Sequence, residues 1–222
     1  MEVQTELNTK DQKPSLLGMF TSPGVQFERI RQKPKLWVPL LIVSILYIIG
    51  MLLMARMLDA STLIDQGVPK DQIDLVLTIT KVTVVIAGLL SPIISAIVGS
   101  AILLAISKFV NSSVTFKQLL SMNVYIMIIG AVGLVLNMAI RNAIGGDPYV
   151  NVTSLAGLFN QGKGVLSSLD VFGIWGMVLT AIGLQKTAQF SKGAAWTVAI
   201  LFFIVMLGFG LIATLFQGAP KL

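Results

Sequence analysis

Residues 29–55 read RIRQKPKLWVPLLIVSILYIIGMLLMA, a basic cluster that runs directly into an uncharged apolar stretch. Residues 37–55 are 19 positions without a charge. At ~1.5 Å per helical residue, such a run crosses a hydrocarbon layer of ~30 Å. Arg29, Arg31, Lys33 and Lys35 stand just before it. Carrying these charges across a bilayer is disfavoured, so this end is expected in the cytoplasm, with Trp37 at the level where interfacial anchors sit. Once the first span is oriented, each later loop is assigned to a side.

Composition agrees with a membrane solvent. The 222 residues are 55% hydrophobic and 12% charged, with a mean hydropathy of +0.86, outside the range of ordinary soluble domains. The 16 basic residues exceed the 10 acidic ones. They flank apolar runs rather than gather on a soluble domain, which is the pattern of topology signals and not of nucleic-acid binding. There are 0 cysteines and 0 histidines. That removes disulfides, thiolate zinc sites, a cysteine nucleophile and the commonest metal ligand and general base. Catalytic, cofactor and metal sites are therefore expected to be none. The polar start and long first apolar run give no sign of a cleavable signal.

In chain order, residues 1–14 read as a disordered cytoplasmic tail and residues 15–222 as a single membrane domain. In residues 15–33, Ser22-Pro23 reads as an N-cap followed by proline at the first helical position. Phe27 and Ile30 fall on one face with Arg29 and Arg31 beside them, the mark of an amphipathic helix lying along the inner membrane surface; the alternative is a segment docked on its own bundle. Spans follow at about 37–55, 82–107, 122–140, 167–186 and 194–216. The fourth is the shortest, since residues 171–184 give only 14 apolar positions. Pro69 and the residues after it read as a helix leading into the second span, and Pro92 as a kink within it. Residues 108–121 read as a short loop. The Gly145-Gly146-Asp147-Pro148 turn opens a long third loop, where Leu155, Leu158 and Phe159 suggest a small surface helix. The expected fold is all-α: a polytopic five-helix bundle with an N-terminal amphipathic interfacial helix. With the N-terminus inside, 10 Lys and Arg lie on the cytoplasmic side and 6 outside, which favours N-in and C-out.

No span carries a charge near its middle, against the usual need of ion-coupled transporters, proton relays and voltage sensors. Asp170 reads first as the N-cap of the fourth helix and Asn137 as an interhelical hydrogen-bonding group. Ala87, Ser91, Ser95 and Gly99 recur every fourth residue and form a row that lets another helix approach closely. Gly173, Gly176 and Gly183 read as close-packing points, and Arg141 and Lys108 as snorkelling anchors. Asn151-Val152-Thr153 is a glycosylation sequon on the outer side.

The segments SPGVQFERIRQKPKLWVPLLIV (22–43) and LDVFGIWGMVLTAIGLQKTAQFSKGAAWTVAI (169–200) resemble the Yip (Ypt-interacting protein) domain family. The resemblance lies in the Pro, Phe, Ile, Pro approach to the first span, in Asp170, Phe172 and Trp175 at the fourth, and in Ser191, Lys192 and Ala194 before the fifth. It implies five spans with a cytoplasmic N-terminus and an exported C-terminus. Among bacterial members the chain is most similar to one type, and that likeness implies a non-enzymatic accessory subunit that helps assemble an ABC efflux system of ATPase, permease and membrane-fusion-type protein, linked to protection from a toxic peptide. The Asp-Leu-Tyr-Gly-Pro signature of eukaryotic members is missing, so no Rab or trafficking role is carried over. A second reading is a small transporter, channel or lipid-handling protein with a path through Asn137, Ser91 and the Pro92 region.

Overall fold

A chain dissolved in hydrocarbon must satisfy its own N–H and C=O groups, and a helix does so within one segment. The computed structural model follows that rule. It describes residues 12–65, 67–159 and 165–218, and their regular elements are helices apart from one isolated bridge between Ser154 and Asp170. The principal helices are α1 (Pro23–Gln32), α2 (Trp37–Met57), α3 (Ile73–Phe109), α4 (Phe116–Ile144), α5 (Val171–Lys186) and α6 (Lys192–Gly218). Among the described residues, α2, α3, α4 and α6 are long and apolar enough to cross a membrane, and α5 is a shorter apolar helix. The chain is a polytopic membrane protein. The expected disordered tail lies almost wholly outside the described residues.

Helix ends depart from the sequence expectations for identifiable reasons. The helix expected to lead into the second span is present, since a 3₁₀ turn at Lys70–Gln72 feeds straight into α3; the 37-residue helix is ~56 Å long, well beyond a bilayer core. It continues through Pro92. The stretch expected as a loop before the third span is helical from Phe116, because Thr115 and Gln118 form a capping box. The Gln118 amide N–H donates to Thr115 Oγ1 at 3.3 Å and the Thr115 N–H to Gln118 Oε1 at 2.8 Å. The helix expected as the fourth span is 16 residues, ~24 Å, because residues 165–168 form a separate helical turn instead of extending it. Ser22 does not cap α1 through its side chain; its Oγ accepts from Gln26 Nε2. The surface turn expected near Leu155 is present as Leu155–Leu158, capped by Ser154, with Leu158 and Phe159 exposed.

The helices gather into two compact units. Of the described residues, one holds those up to Val43, Ile94–Gly130 and Phe172–Met206; the other holds those within Ser44–Ile93, within Ala131–Val171 and from Leu207. In the first unit, α1 docks on the end of α5. Thr187 Oγ1 donates to the Phe27 carbonyl at 3.0 Å, and a Cβ on Gly183 would stand 2.8 Å from Met122 Sδ and 3.1 Å from Phe27 Cε1. In the second unit, α2 approaches α3 at Gly88 and α4 at Gly50, where added Cβ atoms would meet Met51 Cγ at 2.6 Å and Leu134 Cγ at 2.5 Å. Small residues there set the interhelical distance.

Candidate functional site: a buried polar cluster and an uncovered helix face

In the second unit the chain leaves α4 at Ile144, turns through Gly145 and Gly146 at positive φ, and comes back past residues 150–154 to meet Asp170 just before α5. Arg141 fixes this return. Its Nε donates to the Val150 carbonyl at 2.9 Å, so it clamps the loop. The Asp147 carboxylate accepts from the Tyr149 N–H at 2.8 Å. Burial, and then the charge of Asp147, holds the Tyr149 phenol above its ordinary pKa.

That loop brings together two residues singled out in the sequence. Asn137 is 1% exposed and Asp170 8%, and Thr153 bridges them. Thr153 Oγ1 lies 2.5 Å from Asp170 Oδ2 and 2.8 Å from Asn137 Nδ2, and the Thr153 N–H donates to Asn137 Oδ1 at 3.0 Å. Asn137 Nδ2 also donates to the Gly133 carbonyl at 2.8 Å. Buried polar groups need such partners, since each left unmatched costs roughly 1–3 kcal/mol. A hydroxyl donating to a carboxylate is half of a nucleophile–base pair. Here the hydroxyl also accepts from Asn137, and the set as a whole ties the loop to α4 and to the start of α5. Thr153 was visible in the sequence only as the last residue of a sequon.

A second polar bridge, absent from the sequence reading, lies in the first unit. Asn123 Nδ2 donates to Ser100 Oγ at 2.8 Å, and Ser100 Oγ donates to the Ala96 carbonyl at 2.5 Å. The available signal was an asparagine at the start of an apolar run.

The N-terminal candidates fall in the same unit. Phe27 and Ile30, expected against lipid, are fully buried in protein. The docked alternative is therefore the one observed, because the notch at Gly183 receives the Phe27 ring. Arg29 is half-buried and its guanidinium donates to Gln12 and Gln26. Arg31, Lys33 and Lys35 are exposed, and Trp37 is 80% exposed at the first residue of α2.

On α3 the row Ala87, Ser91, Ser95, Gly99 is turned largely outward: Ala87 and Ser95 are exposed, Ser91 and Gly99 half-buried. The chain packs α3 through the adjacent row instead, where Gly88, Pro92, Ala96 and Ser100 are buried. Trp175 is exposed on α5. Of the α5 glycines, Gly183 is a close-packing point, while an added Cβ at Gly176 would meet nothing within 4 Å. Among the described residues no group of three or more acidic side chains is placed to hold a metal.

Comparison with known proteins agrees with this architecture. The Yip1 domain matches residues 17–214. The chain is also similar to membrane protein YknW of Bacillus subtilis (strain 168), 36% identical over 227 aligned positions that cover 98% of each chain. No solved structure gives a significant match. With the domain matched over nearly its whole length, the chain is a member of the Yip1 domain family.

Proposed function

We propose that this protein is a non-enzymatic accessory subunit of the cell membrane that works by helix–helix contact with other membrane proteins. The partners implied by the family resemblance are the permease and membrane-fusion-type subunits of an ABC-type efflux transporter, in a system that protects against a toxic peptide. The N-terminus is cytoplasmic, the C-terminus extracytoplasmic, and α1 lies at the inner interface with the exposed Arg31 towards headgroups. The observation that carries the reading is the outward row on α3. Association of helices in lipid depends on close van der Waals approach, so a row of small residues with Ala87 and Ser95 exposed and Ser91 half-buried between them is the surface on which another helix packs.

Leucine at the exposed Ala87 and Ser95 holds an incoming helix away; Gly99 is left unchanged because a side chain there would stand 3.5 Å from Asn123 Nδ2, which bonds Ser100 of the buried row. Affinity capture of the full-length protein in mild detergent should recover transporter subunits in stoichiometric amounts from wild type and several-fold less from the Ala87→Leu/Ser95→Leu variant. Unchanged recovery would rule out this face as the contact. The transporter, channel or lipid-handling alternative draws less support, because the Asn137 amide is committed to Thr153 and Gly133. Flux or lipid scrambling by the purified protein in liposomes, lost on Asn137→Leu, would favour it.

A further inference from the structure

Hydrogen bonds in the first unit build a groove that the partner-binding reading does not use. The start of α4 holds the other two walls in place: Tyr125 donates its phenol to the Pro14 carbonyl at 3.0 Å, Ser121 Oγ donates to the Lys35 carbonyl at 2.7 Å, and Gln118 Nε2 donates to the Arg31 carbonyl at 2.6 Å. Between the 13–17 segment, the turn into α2 and the first turns of α4 lies a cavity of about 920 Å³. That is near the upper end of the ~300–1,000 Å³ typical of small-molecule pockets.

Its lining divides by chemistry. Lys13, Lys35 and Lys117 line it and are exposed, and among the described residues no carboxylate lines it with them. Val38, Ile42 and Leu120 supply an apolar wall that continues along α2 and α4. Trp37, a residue type that prefers the headgroup level, stands at the same mouth. Three lysines, an apolar wall along a membrane-length helix and, among the described residues, no acid in the lining fit one occupant.

We infer that this groove binds an anionic phospholipid, with the headgroup phosphate among Lys13, Lys35 and Lys117 and an acyl chain along Val38, Ile42 and Leu120. A zwitterionic lipid leaves the three ammonium groups without a net counter-charge. A free anion leaves the apolar wall unfilled. The site is independent of the α3 face, so either can fail alone.

The test is native mass spectrometry of the full-length protein in maltoside detergent, titrated with dioleoyl phosphatidylglycerol, dioleoyl phosphatidylcholine or inorganic phosphate. The expected result is one phosphatidylglycerol retained per chain in preference to phosphatidylcholine. Each of Lys13→Gln, Lys35→Gln and Lys117→Gln should lower its occupancy about fivefold, the usual effect of one basic residue near an anionic surface. A Lys70→Gln/Lys81→Gln control, outside the groove, should bind as wild type does. Equal retention of the two lipids would overturn the inference, as would an unchanged preference in the triple variant or an equal loss in the control. Inorganic phosphate that displaces the lipid as effectively as free phosphatidylglycerol would reduce the groove to a simple anion site and overturn it too.

Discussion

Thr153 carries one hydroxyl hydrogen, and two acceptors lie within reach of it: Asp170 Oδ2 at 2.5 Å and Asn137 Oδ1 at 3.1 Å. The carboxylate is the stronger acceptor, so the hydrogen goes to Asp170 and the lone pairs take the Asn137 amide. Thr153→Val keeps the shape and deletes the donor, leaving a carboxylate that is 8% exposed one bond short. The expected cost is ~1–3 kcal/mol, whereas Thr153→Ser should stay close to wild type. Thermal unfolding of the detergent-solubilised protein reads the difference; equal midpoints for the two variants would show that the hydroxyl bond does not matter. Combined with Asn137→Leu, the valine should add less than its separate effect, since neighbours in one network couple. Asn137 and Asp170 were legible because a polar residue in or beside an apolar run attracts notice. Thr153 was not, since a threonine in a loop is unremarkable until the loop folds back.

At the level of elements, the same limit explains α1. Phe27 and Ile30 share a face at three-residue spacing, and that pattern is identical whether the apolar surroundings are lipid or protein. What decides is the notch at Gly183, a property of α5 more than 150 residues away. Gly183→Val fills it against both Met122 and Phe27, and overpacking of this kind costs ~1–3 kcal/mol. The Lys186–Glu28 pair at 2.7 Å is half-exposed on both sides and adds little, of order 0–1 kcal/mol. The helix should therefore loosen in the variant. Trypsin should cut after Arg29 or Arg31 several-fold faster than in wild type, and an unchanged cleavage rate would remove Gly183 from the docking account. The α4 start was legible in principle, because Thr115-x-x-Gln118 is a capping pattern. The stop after α5 was not: Gln189 takes φ 59, a conformation that a glycine usually signals.

For the molecule as a whole, the threading depends on α5. At 16 residues it is ~24 Å long, short of a ~30 Å core, and crossing requires local thinning or help from its flanks. Its bonds nevertheless differ at its two ends. Asp170, next to its first residue, is bonded to the loop that follows α4, while Thr187, just past its last, is bonded to α1, and the Ala188 carbonyl accepts from Ser112 in the loop that precedes α4 at 2.5 Å. Two different sets of bonds thus hold the two ends of α5, as expected of a helix that crosses. Charge points the same way: if α5 did not cross, Lys186 and Lys192 would join the outer side, and the excess of inner basic residues would shrink. The expected arrangement is five crossings, with opposite sides for the two ends. An alkaline phosphatase fused after Leu222 should be active and a fluorescent protein at the same place dark, with the reverse for fusions before Met1. Cytosolic behaviour of both ends would leave α5 as a helix that enters and does not traverse, and would move the start of α6 to the outer face.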